Sequence, residues 1–400
     1  MFERQKLNRK GTRNKILLGY FILIFCFVML GGIASVTAKA PLTVEIGAIY
    51  NLTGNQAELD IPSSQGAVLA VDQMNRKGGV LGRPVRLVIA DGESNPAVVA
   101  KKTAELIEKN PSVSALMGLS DTDMVIASAR VAARHRRIFL TSGATSPQLP
   151  SQVPEYLFLA CFGDNVQAAA GAEWAYRDMA ARTAAVLFNS SESYTRLLQG
   201  YFQTRFKEMG GRIVSVESYT PDTMRQAIRL LPHAVDLLFF SAMPEDAPKG
   251  VELIRRMGFS APILGGDAFD SEDLWQKHPE TNNVFFTTHA YLGPDNPDPQ
   301  VTAFRKAYVH AYPGSTPTAF AALGYDTARL IMAAVAKAGS TDPDDVRRAL
   351  SGIRRFKGIT GTISYPAGSR IPSKSVTILQ IENGQRRFVR NLLPSQVPPP

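Results

Sequence analysis

Apolar and polar positions along the chain follow two repeating patterns. Segments 43–49 and 84–90 alternate apolar and polar residues with a period of two, which is typical of β-strands. Segments 63–77 and 97–109 place apolar residues three and four positions apart, which is typical of helices that bury one face. Strands and helices that alternate in this way predict parallel sheets with helices on both faces.

The alternation runs through the first part of the chain and then starts again. The two series are separated near 156–162, so we expect an α/β fold of two doubly wound, Rossmann-like lobes. For the last part of the chain, the pattern predicts a strand at 284–288, helices at 301–312, 319–338 and 343–351, and antiparallel strands at 358–365 and 375–381. Asn383-Gly384 is typical of a hairpin turn, and the prolines of 391–400 predict a loose, flexible tail.

Residues 1–38 have the layout of a secretory signal peptide. A basic segment precedes an uncharged apolar segment that begins at Ile16 and ends in small residues. Cleavage after Ala38 is preferred, because Pro41 would hinder a cut after Ala40. The alternative is an uncleaved anchor, since the uncharged segment is about long enough to span a bilayer at roughly 20 residues. We therefore expect a periplasmic or extracytoplasmic protein that meets the membrane only through this segment.

The charge of the chain is uneven. Its formal net charge is +9 over 400 residues, but residues 1–38 hold six basic residues and one acidic residue, which leaves +4 for the rest. This excess is weak support for a nucleic-acid partner, and no basic run is interleaved with aromatic residues. Of the two cysteines, only Cys161 lies outside the apolar N-terminal segment. An intrachain disulfide and a cysteine zinc site are therefore excluded for the folded part.

A search for catalytic patterns is negative. The chain has no G-x-S-x-G nucleophile turn, no H-E-x-x-H metal helix, no phosphate-binding G-x-x-x-x-G-K loop and no G-x-G-x-x-G dinucleotide loop. The five histidines lack metal-ligand spacing, and we interpret each as a surface or loop residue. The sequence thus predicts a protein that is not an enzyme and has no cofactor; an enzyme with an unrecognised site stays the weaker alternative.

Polar loops follow the predicted strands at their carboxyl ends, where open parallel sheets bind ligands. The loops at 119–123, 142–147 and 189–194 are rich in hydroxyl groups and lead into helices. Their backbone N–H groups therefore favour anionic groups.

Many short motifs occur in the order known from one family. They are Gly47-Ala48-Ile49, Leu52-Thr53-Gly54, Gly66-Ala67, Gly78-Gly79-Val80-Leu81-Gly82, Asp91 with Asn95-Pro96, Leu140 to Pro147, Gly210-Gly211, Gly324-Tyr325-Asp326, Ala338 to Asp342 and Phe356 to Gly361. In these the chain resembles the branched-chain-amino-acid-type (Leu/Ile/Val-binding-like) solute-binding proteins of ABC importers, which have the type I periplasmic-binding fold. The resemblance extends over nearly all of 42–390.

The resemblance implies a domain organisation and a mechanism. The first lobe is expected at 42–159 plus 290–356, and the second lobe at 160–289 plus 357–390. Three hinge crossovers are expected, near 158–161, 287–291 and 353–360. A small polar ligand, an amino acid or a relative, would be trapped between the lobes and delivered to the permease subunits of an ABC importer.

The resemblance also implies site residues. The ligand carboxylate is expected on Gly143, Ala144 and Thr145, with a hydroxyl from Ser120 or Thr122, while Tyr194 approaches from the second lobe and Asp267 pairs with a ligand ammonium. Each residue has an alternative structural role. Ser120 or Thr122 caps a helix, Thr145 stabilises a turn, Tyr194 faces the core, and Asp267 completes a glycine-rich turn.

The chain departs from the family pattern at several positions that affect the choice of ligand. Asp121 and Asp123 flank the position expected to meet a carboxylate; if either faces the cleft, a cationic or amide-bearing ligand is favoured, and if they cap the helix nothing changes. Thr195 stands where many relatives have glycine, and Leu159-Ala160 where many have arginine. The alternatives are an amide-, urea- or small-carboxylate-binding protein, or the sensing domain of an anchored receptor.

Overall fold

Two mainly parallel sheets organise the chain in the computed structural model, which describes residues 43–271 and 275–400. The expected signal or anchor at 1–38 lies outside the described residues. The first sheet has five strands, β1 (Val44–Tyr50), β2 (Val85–Asp91), β3 (Val113–Gly118), β4 (Phe139–Thr141) and β5 (Leu157–Leu159). They are all parallel, in the order β2-β1-β3-β4-β5. The helices between them are α1 (Ala57–Arg76), α2 (Pro96–Lys109), α3 (Thr122–Arg134) and α4 (Leu149–Gln152).

The second sheet has seven strands and begins after the first passage between the lobes. The chain first forms α5 (Asp164–Arg177), β6 (Thr183–Asn189), α6 (Ser193–Glu208), β7 (Arg212–Tyr219), α7 (Met224–Leu230), β8 (Leu237–Ser241), α8 (Ala247–Arg256), β9 (Ile263–Gly265), a short 3₁₀ helix at Asp267–Phe269 and β10 (Val284–Thr288). The chain continues with α9 (Pro299–Ala311), α10 (Ala319–Ala338), α11 (Pro343–Ser351), β11 (Phe356–Gly358), β12 (Gly361–Ile363), β13 (Val376–Glu382) and β14 (Gln385–Leu392). The strand order is β14-β13-β10-β9-β8-β6-β7, and only β13 and β14 join it in antiparallel pairs. The prediction of two doubly wound α/β lobes is confirmed.

Helix α10 belongs to the core of the first lobe. It is long and apolar enough to cross a membrane, but 78% of its most apolar window is buried in the protein. Its residues Ile331 and Val335 join Val44 and Ile46 of β1 in one apolar cluster. Because most of its residues are buried, α10 is a core helix of the first lobe.

Helices α1 and α10 cross at two glycines. A Cβ atom on Gly66 would lie 1.9 Å from the carbonyl oxygen of Ala321, and one on Gly324 would lie 1.8 Å from that of Ser63. Both distances are far below contact, so the two backbones touch where no side chain fits.

The expected third crossover at 353–360 is wrong, and with it the boundary at residue 356. Ile359, Ile363 and Tyr365 pack in apolar clusters of the first lobe, and the chain reaches the second sheet only at β13. Asp326 of α10 holds this segment, because its carboxylate accepts from the backbone N–H groups of Ile359 and Thr360, each at 2.8 Å. The alternating pattern at 358–365 is the small β11–β12 hairpin.

The C-terminal end confirms one prediction and differs from another. Asn383 and Gly384, with φ angles of 51° and 71°, form the two-residue turn between β13 and β14. In contrast to the expected loose tail, Ser395 N–H donates to both carboxylate oxygens of Glu173 at 2.9 and 3.0 Å. Asn165 Nδ2 donates to the carbonyl oxygen of Pro398 at 2.9 Å, so the tail lies along α5.

Candidate functional site

A narrow cavity lies between the two lobes. Its first-lobe wall includes Ser120, Gly143 and Thr145, and its second-lobe wall includes Tyr194 and Asp267. The sequence placed these five residues on four loops at the carboxyl ends of strands, and the structure brings them to one cavity. This is the place where doubly wound sheets bind ligands.

Two further residues from the sequence prediction lie beside the cavity and do not line it. Thr122 is buried as the first residue of α3. Ala144 is also buried, and its backbone groups are used within the protein: its N–H donates to Thr141 Oγ1 at 3.1 Å, and its carbonyl oxygen accepts from Cys161 Sγ at 3.2 Å. Of the two hydroxyl residues proposed for this loop, the structure therefore places Ser120 at the cavity.

The loops after β3 and β4 are tied to each other. Thr141 Oγ1 donates to the carbonyl oxygen of Leu119 at 2.9 Å, and Gly143 N–H donates to the same oxygen at 3.3 Å. A Cβ atom on Gly143 would lie 2.8 Å from a ring carbon of Phe320 and 2.9 Å from Ser120 Oγ. Glycine is required here because the ring and the neighbouring loop leave no space for a side chain.

Asp121 has both of the roles that the sequence left open: it caps a helix and it faces the cleft. It caps α3, since Oδ1 accepts from the N–H groups of Asp123 at 3.0 Å and Met124 at 3.1 Å, and it also lines the cavity. Burial raises the pKa of its carboxyl group to about 7. A negative charge at this position is therefore costly until a positive group approaches it.

The second-lobe wall is a hydrogen-bonded group centred on Asp267. Tyr194 Oη donates to Asp267 Oδ1 at 2.9 Å, Gln167 Nε2 donates to the same oxygen at 2.8 Å, and His289 Nε2 lies 3.0 Å from Oδ2. The main-chain carbonyl of Asp267, and not its carboxylate, accepts the turn hydrogen bond from Asp270 N–H at 2.9 Å. The carboxylate is thus held in place at the cavity wall.

Sequence reasoning missed the residues that support Asp267. His289 was expected at the surface or in a loop, but it is 2% exposed and stacks on Phe162 with ring centroids 3.9 Å apart. Burial lowers its pKa, so its ring is neutral near pH 7. Asp164 is also buried here, and burial raises the pKa of its carboxyl group to about 8. The one available signal was that His289 falls inside the expected second crossover.

Comparisons with known proteins agree with this geometry. A family model for periplasmic binding proteins matches residues 43–386. The Leu/Ile/Val-binding protein BraC3 of Rhizobium johnstonii is 24% identical over 355 residues, which cover 87% of this chain and 95% of that protein.

Solved structures show the same fold. The branched-chain amino acid transporter substrate-binding protein LivJ from Streptococcus pneumoniae, in complex with isoleucine, matches with a TM-score of 0.81 at 24% identity; the match covers 88% of this chain and 100% of LivJ. The leucine-binding protein LivK from Thermotoga maritima matches with a TM-score of 0.78 at 26% identity, over 88% of this chain and 99% of LivK. Together with the matched family model, the two lobes and the cavity between them show that the chain belongs to the periplasmic binding protein family.

Proposed function

We propose that the protein is the extracytoplasmic solute-binding component of an ABC importer. It captures a small amino-acid-like ligand between its lobes and presents it to the permease subunits without converting it chemically. The observation that carries the proposal is the cavity itself, where Gly143 and Thr145 of one lobe face Tyr194 and Asp267 of the other.

The mechanism follows from the position of the cavity. A ligand held by one lobe offers new hydrogen bonds to the other lobe, so the closed state gains free energy that the open state lacks. The names of the relatives support an amino-acid-like ligand, because BraC3 is a Leu/Ile/Val-binding protein and LivJ was solved in complex with isoleucine. Export through the N-terminal segment would place the protein where such a receptor acts.

Each wall of the cavity has a role in this proposal. The Thr145 and Ser120 hydroxyls hold the ligand carboxylate, because both lie on loops that follow strand ends and can donate hydrogen bonds to an anion. The Asp267 carboxylate, kept in place by Tyr194, pairs with the ligand ammonium. Thr122 and Ala144 support the loops from behind the cavity.

A thermal-shift panel of amino acids, amides and small carboxylates tests the proposal. A ligand at a hundred times its dissociation constant adds about 2.7 kcal/mol to the free energy of unfolding. We expect Thr145→Ala and Tyr194→Ala to abolish the shift of the best ligand. The Tm without ligand should stay within about 5 °C for Thr145→Ala and fall further for Tyr194→Ala, because the ring of Tyr194 is buried.

A matched control is Thr204→Ala, which removes an exposed hydroxyl of α6 that donates to the carbonyl oxygen of Gly200 within the same helix. This variant is expected to bind like the wild-type protein. Unchanged affinity in the Thr145 and Tyr194 variants would show that the ligand binds elsewhere, and a panel without any shift would contradict the ligand class.

A further inference from the structure

We infer that the ligand is an amino acid with a positively charged side chain, a class that differs from the aliphatic ligands named for the relatives. This inference rests on the proposed function and adds the substrate class. Its first basis is the charge of the cavity wall: Asp121 and Asp267 line it, and among the described residues that line it there is no lysine or arginine. A zwitterion with an uncharged side chain brings one positive group to two carboxylates.

An unused acceptor in the cavity is the second basis. Gln56 lines the cavity and is 3% exposed, and its Oε1 is buried without a hydrogen-bond partner among the described residues. A buried acceptor without a donor costs about 1–3 kcal/mol. A ligand that brings an N–H group to Gln56 Oε1 removes the cost, whereas an aliphatic side chain leaves it in place.

The remaining wall suits the stem of such a side chain. Leu59, Met243 and Phe320 line the same cavity and are apolar. Lysine and arginine side chains carry a charged end on a chain of methylene groups, which packs well against apolar surface. The cavity therefore combines an apolar wall with a negatively charged, acceptor-bearing patch.

Acidic residues also lie where the two lobes meet: Glu245 Oε1 lies 3.4 Å from Asn55 Nδ2, and Asp123 Oδ1 lies 3.1 Å from Ser193 Oγ, next to Glu192. Burial raises the pKa values of Glu192 and Glu245, and neighbouring carboxylates, including Asp123 for Glu192, raise them further. Arg196 faces Glu192 and lowers its pKa, which offsets part of this repulsion. These carboxylates give a chain of net charge +9 a local negative surface beside the cleft. This surface would steer cations toward the cleft.

Isothermal titration of the purified chain with arginine, lysine, ornithine, glutamine, leucine and isoleucine tests the inference. We expect the best cationic amino acid to bind at least about 100-fold more tightly than leucine. Asp121→Asn should weaken cation binding by at least about 30-fold. Gln56→Leu should weaken it by at least about fivefold, which keeps the test decisive if Asp121→Asn folds poorly.

Asp342→Asn is the matched control. Asp342 caps α11 with bonds of 2.9 and 3.2 Å to the N–H groups of Asp344 and Asp345, so it repeats the capping role of Asp121 away from the cavity. Its variant should bind cationic amino acids like the wild type. Tightest binding of an aliphatic amino acid or of glutamine, or unchanged cation binding in Asp121→Asn, would overturn the inference. If an aliphatic amino acid or glutamine binds most tightly and its binding depends on Thr145, the inference fails but the proposed function stands. If no amino acid binds, the inference and the proposed function both fail.

Discussion

Asp123 Oδ1 accepts a hydrogen bond of 3.1 Å from Ser193 Oγ, and this bond joins the start of α3 in the first lobe to the start of α6 in the second. Asn55 Nδ2 lies 3.4 Å from Glu245 Oε1, and Ser271 Oγ donates to Glu58, so two more polar contacts cross the cleft. Such contacts exist only while the lobes are together. They therefore contribute to the free energy of closure.

Removing one of these contacts should weaken ligand binding without harming the fold. Ser193→Ala deletes the donor to Asp123, and a hydrogen bond of this kind contributes about 0.5–1.5 kcal/mol. The dissociation constant measured by calorimetry should therefore rise about 3- to 10-fold. Ser190→Ala is the control, because Ser190 Oγ donates to the carbonyl oxygen of Tyr219 within the second lobe. Equal effects of the two variants would show that the cross-lobe bond does not favour closure.

The hydroxyl of Tyr194 should matter separately from its ring. Tyr194→Phe keeps the ring but removes one of the donors to Asp267, which costs about 1–3 kcal/mol because the carboxylate is buried. We expect the dissociation constant to rise about tenfold. Tyr201→Phe is the control, since it removes a tyrosine hydroxyl further along α6 that is not part of the hydrogen-bonded group around Asp267. A Tyr194→Phe protein that binds like Tyr201→Phe would rule out positioning of Asp267 by the hydroxyl.

Local patterns predicted the two sheets and the loops at their strand ends, and the resemblance to solute-binding proteins implied which residues of those loops meet a ligand. The period of the apolar residues identifies strands and helices, and the ends of parallel strands meet at one edge. The support for Asp267 could not be predicted in this way, because Gln167 is 100 positions away in the sequence and His289 is 22 positions away. Only the folded hinge brings them to the same carboxylate.

The misplaced third crossover has a similar cause. An alternating pattern identifies a strand but not the sheet that it joins. Residues 358–365 alternate like a strand of the second sheet, but the Asp326 carboxylate on α10 fixes Ile359 and Thr360 to the first lobe. The partner that decides the boundary lies more than 30 positions earlier in the chain.

Asp164 should make the unfolding free energy fall as the pH rises. Burial raises the pKa of its carboxyl group from 3.8 to about 8, and the Asp267 charge adds to the rise. Between about pH 4 and pH 8 the folded protein keeps a proton on Asp164 that the unfolded chain has lost. The free energy of unfolding therefore falls as the pH rises from about 4 to about 8. Asp164→Asn cannot titrate, and we expect its Tm to exceed that of the wild type by about 2–4 °C at pH 8 and to match it at pH 5.

Thr204→Ala, which removes an exposed hydroxyl and no titratable group, is the control for this titration and should keep the wild-type dependence of Tm on pH. Asp60 and Asp121, with pKa values raised by burial to about 7, give contributions of the same sign, so a weaker slope remains in Asp164→Asn. A wild-type Tm that rises steadily from pH 5 to pH 8 would contradict the assignment.

The buried ion pair under the C-terminal end should be important for stability. Arg205 Nη2 lies 2.6 Å from Glu173 Oε1, with side chains 6% and 2% exposed, and Ser395 N–H donates to the same carboxylate. Glu173→Gln removes the charge that Arg205 needs, which costs about 3–5 kcal/mol in urea unfolding. Glu208→Gln, at the exposed side of Arg205, should cost at most about 1 kcal/mol. Equal losses in the two variants would show that Glu173 has no special role.

Glycine-to-alanine changes should have opposite effects at two helical positions. At Gly324 the new Cβ would lie 1.8 Å from the carbonyl oxygen of Ser63, so α1 and α10 would have to separate, at a cost of about 1–3 kcal/mol or more. At Gly200, inside α6, no atom lies within 4 Å of the new Cβ, so alanine should stabilise the helix by about 0.5–1 kcal/mol. Urea unfolding of both variants measures the difference. Because the chemical change is the same, a Gly324→Ala protein as stable as Gly200→Ala would mean that α1 and α10 do not touch through their backbones in solution.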